Sequence, residues 1–457
     1  AAQVLLTAGS GGGAGGASVS RANGCIGPYY TTAGAGGGGG GGALRIVARG
    51  RVVVDGLISA NGGNGGSGEI PHSPSAACDY PHRQNQIATG GAGGGGSGGS
   101  IVIQALRGIE LATCDTLQVQ GGVGGDTPRG GNQKGGDGGV GYIRLESAGD
   151  ALAFCGEVPA DPGVVSDGGL TTSPDEISFG RGQDGTRHLN FLVSINPITN
   201  APIIDPATGR QVSIWTFDTD EGLLVSPIGE EFRTRLPDVM DLNRLIIDED
   251  VLLRVSGSKA LTISCRDSAD IAGTIDCSGF PGGLLTIDAP GTHPLPGDGG
   301  RGGPGGGEGG AGGDVRHADG DATNRDPTNT IPFPGERGGA PPGLEAFDRN
   351  GLLQPAVGAV LQLVPLFSTA TPGGSLPGRG GACDSNCQLE LNTTSAGGGA
   401  GGGNLGGGAD GDALLPAGRD PPRRSCERVA AARRSAWPIC GTTTAFSGVV
   451  PAAPAAV

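Results

Sequence analysis

Several stretches of the chain alternate apolar and polar residues with a period of two. Examples are LRIVARGRVVVDGLISA at 44–60, SIVIQALRGIEL at 100–111 and LTISC at 261–265. These stretches are rich in Val and Ile, and the combination is typical of β-strands that bury one face. The pattern predicts a mainly β protein.

Glycine-rich tracts separate the predicted strands. One of them, GGRGGPGGGEGGAGG, occupies residues 299–313, and the chain has 97 glycines in 457 residues. Such tracts are commonly flexible linkers, because glycine loses the most backbone entropy on folding. Polyproline II geometry has three residues per turn, so a GGX sequence leaves two faces bare for close packing. We favour packed, polyglycine II-like segments, and the linker interpretation stays open.

Strands and glycine tracts recur as units. GGGGGGGALRIV aligns with GGGGSGGSIVI, which places Gly42 opposite Gly99, and LISANGGNGG aligns with LQVQGGVGG. Self-similarity of this kind is typical of repeat architectures. We therefore predict repetitive β-solenoid or sheet rungs joined to the glycine-rich segments.

Glycine content divides the chain into three predicted regions. Residues 1–156 form an N-terminal glycine-rich repeat region, and residues 157–250 form a glycine-poor β region or linker. Residues 251–457 form a C-terminal glycine-rich repeat region with an extended tail. The Ala-rich segment 425–437 predicts one short helix there, which Pro438 ends.

The ten cysteines lie singly along the chain, without a CxxC pair. This spacing favours a disulfide framework over a metal site. Cys25 and Cys78 share a Cys-x-x-Pro setting, and we expect them to pair, as we expect of Cys426 and Cys440. The full set of disulfide candidates is Cys25, Cys78, Cys114, Cys155, Cys265, Cys277, Cys383, Cys387, Cys426 and Cys440.

Charge and the disulfide prediction together indicate an extracellular or cell-surface location. The formal net charge of −15 argues against general nucleic-acid binding, which needs a basic surface. No apolar run approaches the roughly 18 residues of a membrane span. The chain begins without Met, so we expect a signal peptide to have been removed; a chain shortened for expression is the alternative.

The segment LRVSGSKALTISCRDSADIAGTIDCSGFPGG at 253–283 resembles the glycine-rich repeat surface proteins secreted by some bacteria. In those proteins a V-x-I-x-G-x-I-x-x-S-G-x-x-G-G rung precedes polyglycine. The GGX tracts are also similar to the bundled polyglycine II helices of phage tail-tip adhesins and of glycine-rich antifreeze proteins. The resemblance implies a secreted surface protein and little chemistry. The residues on which the resemblance rests are Ile271, Gly273, Ile275, Ser278, Gly279, Gly282 and Gly283.

Motifs for catalysis are weak in this sequence. GGSGG around Ser97 satisfies a nucleophile-elbow pattern by chance within polyglycine, and neither a phosphate-loop GK[ST] nor a zinc-protease HExxH occurs. The five histidines are dispersed. We therefore predict that the protein is not an enzyme.

Acidic clusters after polyglycine offer oxygen ligands that suit Ca²⁺. The candidate ligands are Asp319, Asp321, Asn324, Asp326, Asp410 and Asp412, and DTDEG at 218–222 is a third cluster. Asx turns explain the same residues, so both interpretations stay open. Apart from Ca²⁺, we predict no cofactor.

Two further groups of residues suggest contacts with partners. The Cys-x-x-Pro loops carry the binding-loop candidates Tyr29, Tyr30, Tyr80 and His82. A basic group near the C-terminus consists of Arg423, Arg424, Arg428, Arg433 and Arg434, which we assign to contacts between subunits. Binding of nucleic acid or anionic polysaccharide is the alternative for the arginines.

These observations favour a secreted structural protein, a self-assembling subunit of an extracellular filament or surface layer whose main partner is itself. The alternative function is a cell-surface adhesin that binds glycans or other surfaces through the Cys-x-x-Pro loops. A secreted enzyme is the third function considered.

Overall fold

A computed structural model of the chain describes residues 6–20, 30–68, 90–112, 114–126, 134–148, 152–153, 164–166, 179–196, 198–199, 201–204, 210–284, 295–317, 330–332, 335–336 and 338–339. Within these residues the fold is mainly β, which confirms the predicted class. Their one helical element is a short 3₁₀ turn at Cys114–Thr116. None of their helices has the length and apolar character needed to cross a membrane.

The strands follow the alternating segments of the sequence. In chain order they are β1 (Ser18–Ser20), β2 (Tyr30–Thr32), β3 (Ala43–Ala48), β4 (Arg51–Val54), β5 (Leu57–Ser59), β6 (Ser100–Ala105), β7 (Gly108–Leu111), β8 (Leu117–Gln118), β9 (Tyr142–Ser147), β10 (Leu152–Ala153), β11 (Val164–Ser166), β12 (Arg187–Leu189), β13 (Ser213–Asp218), β14 (Leu223–Val225), β15 (Glu231–Arg233), β16 (Val239–Leu242), β17 (Leu245–Ile247), β18 (Val251–Ser256), β19 (Leu261–Cys265), β20 (Ala269–Ile271), β21 (Thr274–Asp276), β22 (Val315–His317) and β23 (Thr330–Pro332).

Three open sheets contain nearly all of these strands. The first sheet has the order β11-β9-β6-β3-β19-β16, the second β10-β7-β4-β20-β17-β12, and the third β15-β14-β13-β18-β21-β5-β8. All neighbours pair in parallel except β13–β14 and β14–β15, which are antiparallel. Two antiparallel pairs, β1–β2 and β22–β23, stand apart from the three sheets.

Consecutive strands visit the three sheets in turn, so the chain builds layers. β3, β4 and β5 form one layer, and β6, β7 and β8 form the next, with each strand above its counterpart. The inward residues of neighbouring layers coincide in register; Leu44, for example, lies between Leu261 and Ile101, and all three are fully buried. One apolar core therefore runs along the stack between the sheets.

The order of layers in the stack differs from their order in the chain. The layer of β19, β20 and β21 pairs with that of β3, β4 and β5, although the two are far apart in the sequence. Strands from all three regions predicted above, 1–156, 157–250 and 251–457, enter the same sheets. The region boundaries themselves stay a prediction.

The disulfide prediction is wrong for Cys265 and Cys277. Both are free thiols buried in the core, Cys265 at the end of β19 and Cys277 directly after β21. Their side chains pack as small apolar groups, a common environment for a free cysteine. Seven of the other candidates lie outside the described residues, and the structure describes only the backbone of Cys114.

Candidate functional site

The glycine tract at 33–42, which leads into β3, lies at the centre of a bundle of tracts. Its N–H groups donate to three neighbours in rotation, with N···O distances of 2.8–3.0 Å. Residues 34, 37 and 40 donate to tract 307–313, residues 35, 38 and 41 to tract 91–97, and residues 36, 39 and 42 to tract 277–283. The direction of donation thus repeats every three residues.

The carbonyl groups of the same tract accept hydrogen bonds from three other neighbours. Tract 9–15 donates to residues 35, 38 and 41, tract 63–66 donates to residues 36 and 39, and tract 297–303 donates to residues 34, 37 and 40. Six tracts therefore surround the central one, and every residue from 34 to 41 both donates and accepts. No backbone polar group in this buried stretch lacks a partner, which removes the usual penalty of burial.

The close approach of the tracts explains the glycines at the centre. A Cβ atom on Gly36, Gly38 or Gly39 would lie 1.8, 1.9 or 2.0 Å from a backbone carbonyl oxygen of an adjacent tract. The obstructing atoms are backbone, so rotating a side chain cannot relieve the overlap. Glycine is required here for contact between backbones, and every residue from 33 to 42 is buried.

Polar side chains of the tract at 60–68 accept hydrogen bonds from the neighbouring tract at 119–126. The tract at 60–68 carries a polar side chain at every third position, Asn61, Asn64 and Ser67. Oδ1 of Asn61 accepts the N–H of Gln120 at 2.7 Å, and Oδ1 of Asn64 accepts that of Val123 at 2.8 Å. The sequence NGGNGGS at 61–67 has the same three-residue period.

A buried network of polar side chains links three neighbouring strands of the first sheet, β3, β6 and β9. The guanidinium of Arg45 donates to Oε1 of Gln104 at 2.9 Å, and Nε2 of Gln104 donates to Oε2 of Glu146 at 2.6 Å. Nε of Arg144 donates to Oε1 of Glu146 at 2.6 Å and completes this network. Gln104 and Glu146 are fully buried, and burial lowers the pKa of Arg45 while Glu146 opposes that shift. Sequence reasoning missed these residues, because a strand pattern does not tell which polar positions are covered.

Polar groups cover the outer edge of the first sheet, which is formed by β16. The loop at 180–185 lies along the edge of this strand, where Oδ1 of Asp241 accepts the N–H of Gly182 at 2.8 Å. In return Oδ2 of Asp184 accepts the N–H of Asp241 at 2.8 Å. The carboxylate of Asp184 thus occupies a backbone N–H of β16 that an exposed edge strand would offer to another chain.

The acidic segment at 218–222 forms an Asx turn. Oδ1 of Asp218 accepts the N–H groups of Asp220 at 2.7 Å and of Glu221 at 3.2 Å. Across the described ranges, no group of three or more His, Cys, Asp or Glu residues is arranged to hold a metal ion. The turn explains the residues of this third cluster without Ca²⁺.

Most of the other predicted site residues lie outside the described residues. This applies to the Ca²⁺ candidates Asp319, Asp321, Asn324, Asp326, Asp410 and Asp412, to Tyr29, Tyr80 and His82, and to Arg423, Arg424, Arg428, Arg433 and Arg434. The predicted helix at 425–437 lies there as well. Tyr30 begins β2, for which the backbone is described. These assignments stay predictions.

We expect Cys265 and Cys277 to resist alkylation in the native protein. Burial raises the pKa of Cys265 to about 12 and raises that of Cys277 well above its ordinary value. The reactive thiolate is therefore scarce at pH 8. Mass spectrometry after iodoacetamide treatment would find both peptides unmodified when the protein is folded and modified in denaturant. Rapid labelling of either thiol in the folded protein would contradict its burial in the core.

Comparison with protein-family models, curated proteins and solved structures yields no match for this chain. The functional argument therefore rests on the geometry of the layers and tracts.

Proposed function

We propose that the protein is a secreted structural protein, a self-assembling subunit of an extracellular filament or surface layer. In this proposal the stacked layers are a β-solenoid and the glycine tracts are a bundle of polyglycine II helices. The supporting observation is the central tract at 34–41, in which each residue donates one backbone hydrogen bond and accepts another. The three-residue period of these bonds equals the three residues per turn of polyproline II.

The connection between bundle and sheets makes the subunit rigid. The tract at 33–42 continues into β3, and β5 continues into the tract at 60–68, so one layer is held at both ends by packed glycine. The hydrogen bonds of the bundle offset the large entropic cost of ordering glycine. Rigidity obtained from short repeated units suits a structural role rather than a catalytic one.

Electron microscopy of the full-length protein tests the proposal. Regular filaments or sheets that form at neutral pH and grow with protein concentration would support it. Dynamic light scattering on the same samples would give the size distribution in solution. A protein that stays as isolated monomers at millimolar concentration would overturn it.

The alternative function, an adhesin, is supported by the way the bundle arranges its connections. Hydrogen bonds place residues 15, 35, 66, 91, 125, 135, 283, 297 and 313 at one level of the bundle, at the end away from the sheets. The described residues 68, 90, 126 and 134 adjoin tracts that reach that level. The predicted binding residues Tyr80 and His82 lie between residues 68 and 90 in the sequence, and Tyr29 lies outside the described residues.

Glycan-array binding separates this alternative from the structural role. Isolated particles that bind a defined glycan, with binding lost in Tyr80→Ala, would favour the adhesin. Assemblies that form normally and bind no glycan would favour the structural subunit.

A further inference from the structure

The segment at 191–204, between β12 and β13, presents large apolar side chains to solvent. The exposed fractions are 39% for Phe191, 45% for Val193, 54% for Ile195, 92% for Ile198 and 48% for Ile204. Soluble proteins seldom expose apolar residues in such a group, and groups of this kind commonly mark interaction sites.

Four of these side chains share one face. Between the exposed residues 191, 193 and 195, Leu192 packs against the core and Ser194 is 5% exposed, so side-chain direction alternates. The hydroxyl of Ser194 accepts the N–H of Ile214 at 2.7 Å, which fixes that alternation against β13. Ile195 pairs with Pro202 in an antiparallel bridge, which places Pro202 and then Ile204 on the same side. We call this surface, formed by Phe191, Val193, Ile195, Pro202 and Ile204, the apolar end face.

The apolar end face is electrically neutral in an acidic protein. Residues 191–204 include no ionisable side chain, whereas the whole chain has a formal charge of −15. Two charged side chains close to it in the sequence have partners within the chain: His188 contacts Asp248 at 2.8 Å, and Arg210 contacts Glu249 at 3.0 Å. Residues 191–204 themselves therefore offer no complementary charge to a charged partner.

We propose that the apolar end face binds the same face of a second copy of the chain. A two-fold contact brings identical surfaces together, so in an acidic protein a charged face would meet like charge. The neutral face avoids this repulsion and removes apolar surface from water on both copies. The inference rests on the proposed self-assembly, and it places a two-fold contact at the β12–β13 end of the stack.

Paired substitutions test the contact. Val193→Asp places a carboxylate on the apolar end face, and in a two-fold contact each copy meets the other's charge. Val123→Asp makes the same chemical change at a site that is 54% exposed on the glycine tract at 119–126. We expect Val193→Asp to weaken dimerisation by about tenfold or more in sedimentation equilibrium, and Val123→Asp to behave as the wild type. Circular dichroism melting curves would establish that both variants are folded.

The outcomes distinguish this inference from the proposed function. If the wild type assembles and Val193→Asp assembles equally well, the face is not the contact, although the structural role stands. If the wild type forms discrete dimers that Val193→Asp disrupts, the contact stands and the filament proposal fails. A wild type that remains monomeric at every concentration overturns both. If Val193→Asp does not fold, Ile195→Ser, which removes apolar surface without adding charge, is measured in its place with the same criteria.

Discussion

Replacing Gly39 with alanine is expected to lower the free energy of unfolding by at least about 4 kcal/mol, or to prevent folding. The new Cβ atom would lie 2.0 Å from the carbonyl oxygen of Arg301. Gly39 also donates to the carbonyl of Phe280 and accepts from the N–H of Gly63. Movement away from Arg301 would therefore break bonds to other tracts, and urea denaturation followed by circular dichroism measures the loss.

The matched control lies in the same tract. Ala35→Gly removes a Cβ atom from a fully buried position, and we expect it to cost only about 1 kcal/mol. Gly309→Val should lower the stability as Gly39→Ala does, because the new Cβ atom would lie 2.0 Å from the carbonyl oxygen of Gly37. Equal stability of Gly39→Ala and the wild type would show that the tracts behave as flexible linkers.

Replacing Gln104 with leucine is expected to cost about 2–4 kcal/mol. Gln104 donates to the buried carboxylate of Glu146 and accepts from Arg45. Leucine has a similar size but can do neither, so a fully buried charge loses a hydrogen bond. The measurement is again urea denaturation. Gln120→Leu, at an exposed position, is the control and should change stability by less than about 0.5 kcal/mol. Comparable losses of stability in the two variants would contradict the role assigned to the buried hydrogen bonds of Gln104.

The period-two pattern located the strands of the core. The alternating segments at 44–60, 100–111 and 261–265 contain β3 to β7 and β19, and every second residue, as in Leu44, Ile46, Ile101 and Ile103, belongs to the core. The period of three in the glycine tracts likewise distinguishes positions with side chains from bare ones, as Asn61 and Asn64 illustrate. Local periodicity can be read from a sequence because it depends on backbone geometry alone.

The order of the layers could not be predicted in the same way. β3 pairs with β6, which follows it closely in the chain, and with β19, which is distant. Both contacts use backbone hydrogen bonds between similar Val- and Ile-rich strands, so side-chain pattern does not favour one partner over another.

The burial of polar strand positions could not be predicted for a related reason. Alternation places Gln104 and Glu146 on the face opposite the core, where water is the expected neighbour. Both are nevertheless fully buried and bonded to each other across two layers. Similarly, cysteine spacing suggested disulfides, whereas Cys265 and Cys277 are free and serve as packing residues. Burial of these groups depends on contacts between distant segments, which sequence spacing does not record.

Hydrogen exchange at the central glycine tract tests the packed bundle most directly. Each N–H from residue 34 to 42 is hydrogen-bonded to another tract and buried. We therefore expect the amides of 34–42 to exchange as slowly as those of β3, with both segments opening only on global unfolding. Mass spectrometry with electron-transfer fragmentation resolves the two segments within one peptide. Protection of 34–42 equal to that of β3 is the result the bundle predicts, and exchange at the rate of an unstructured peptide would contradict it.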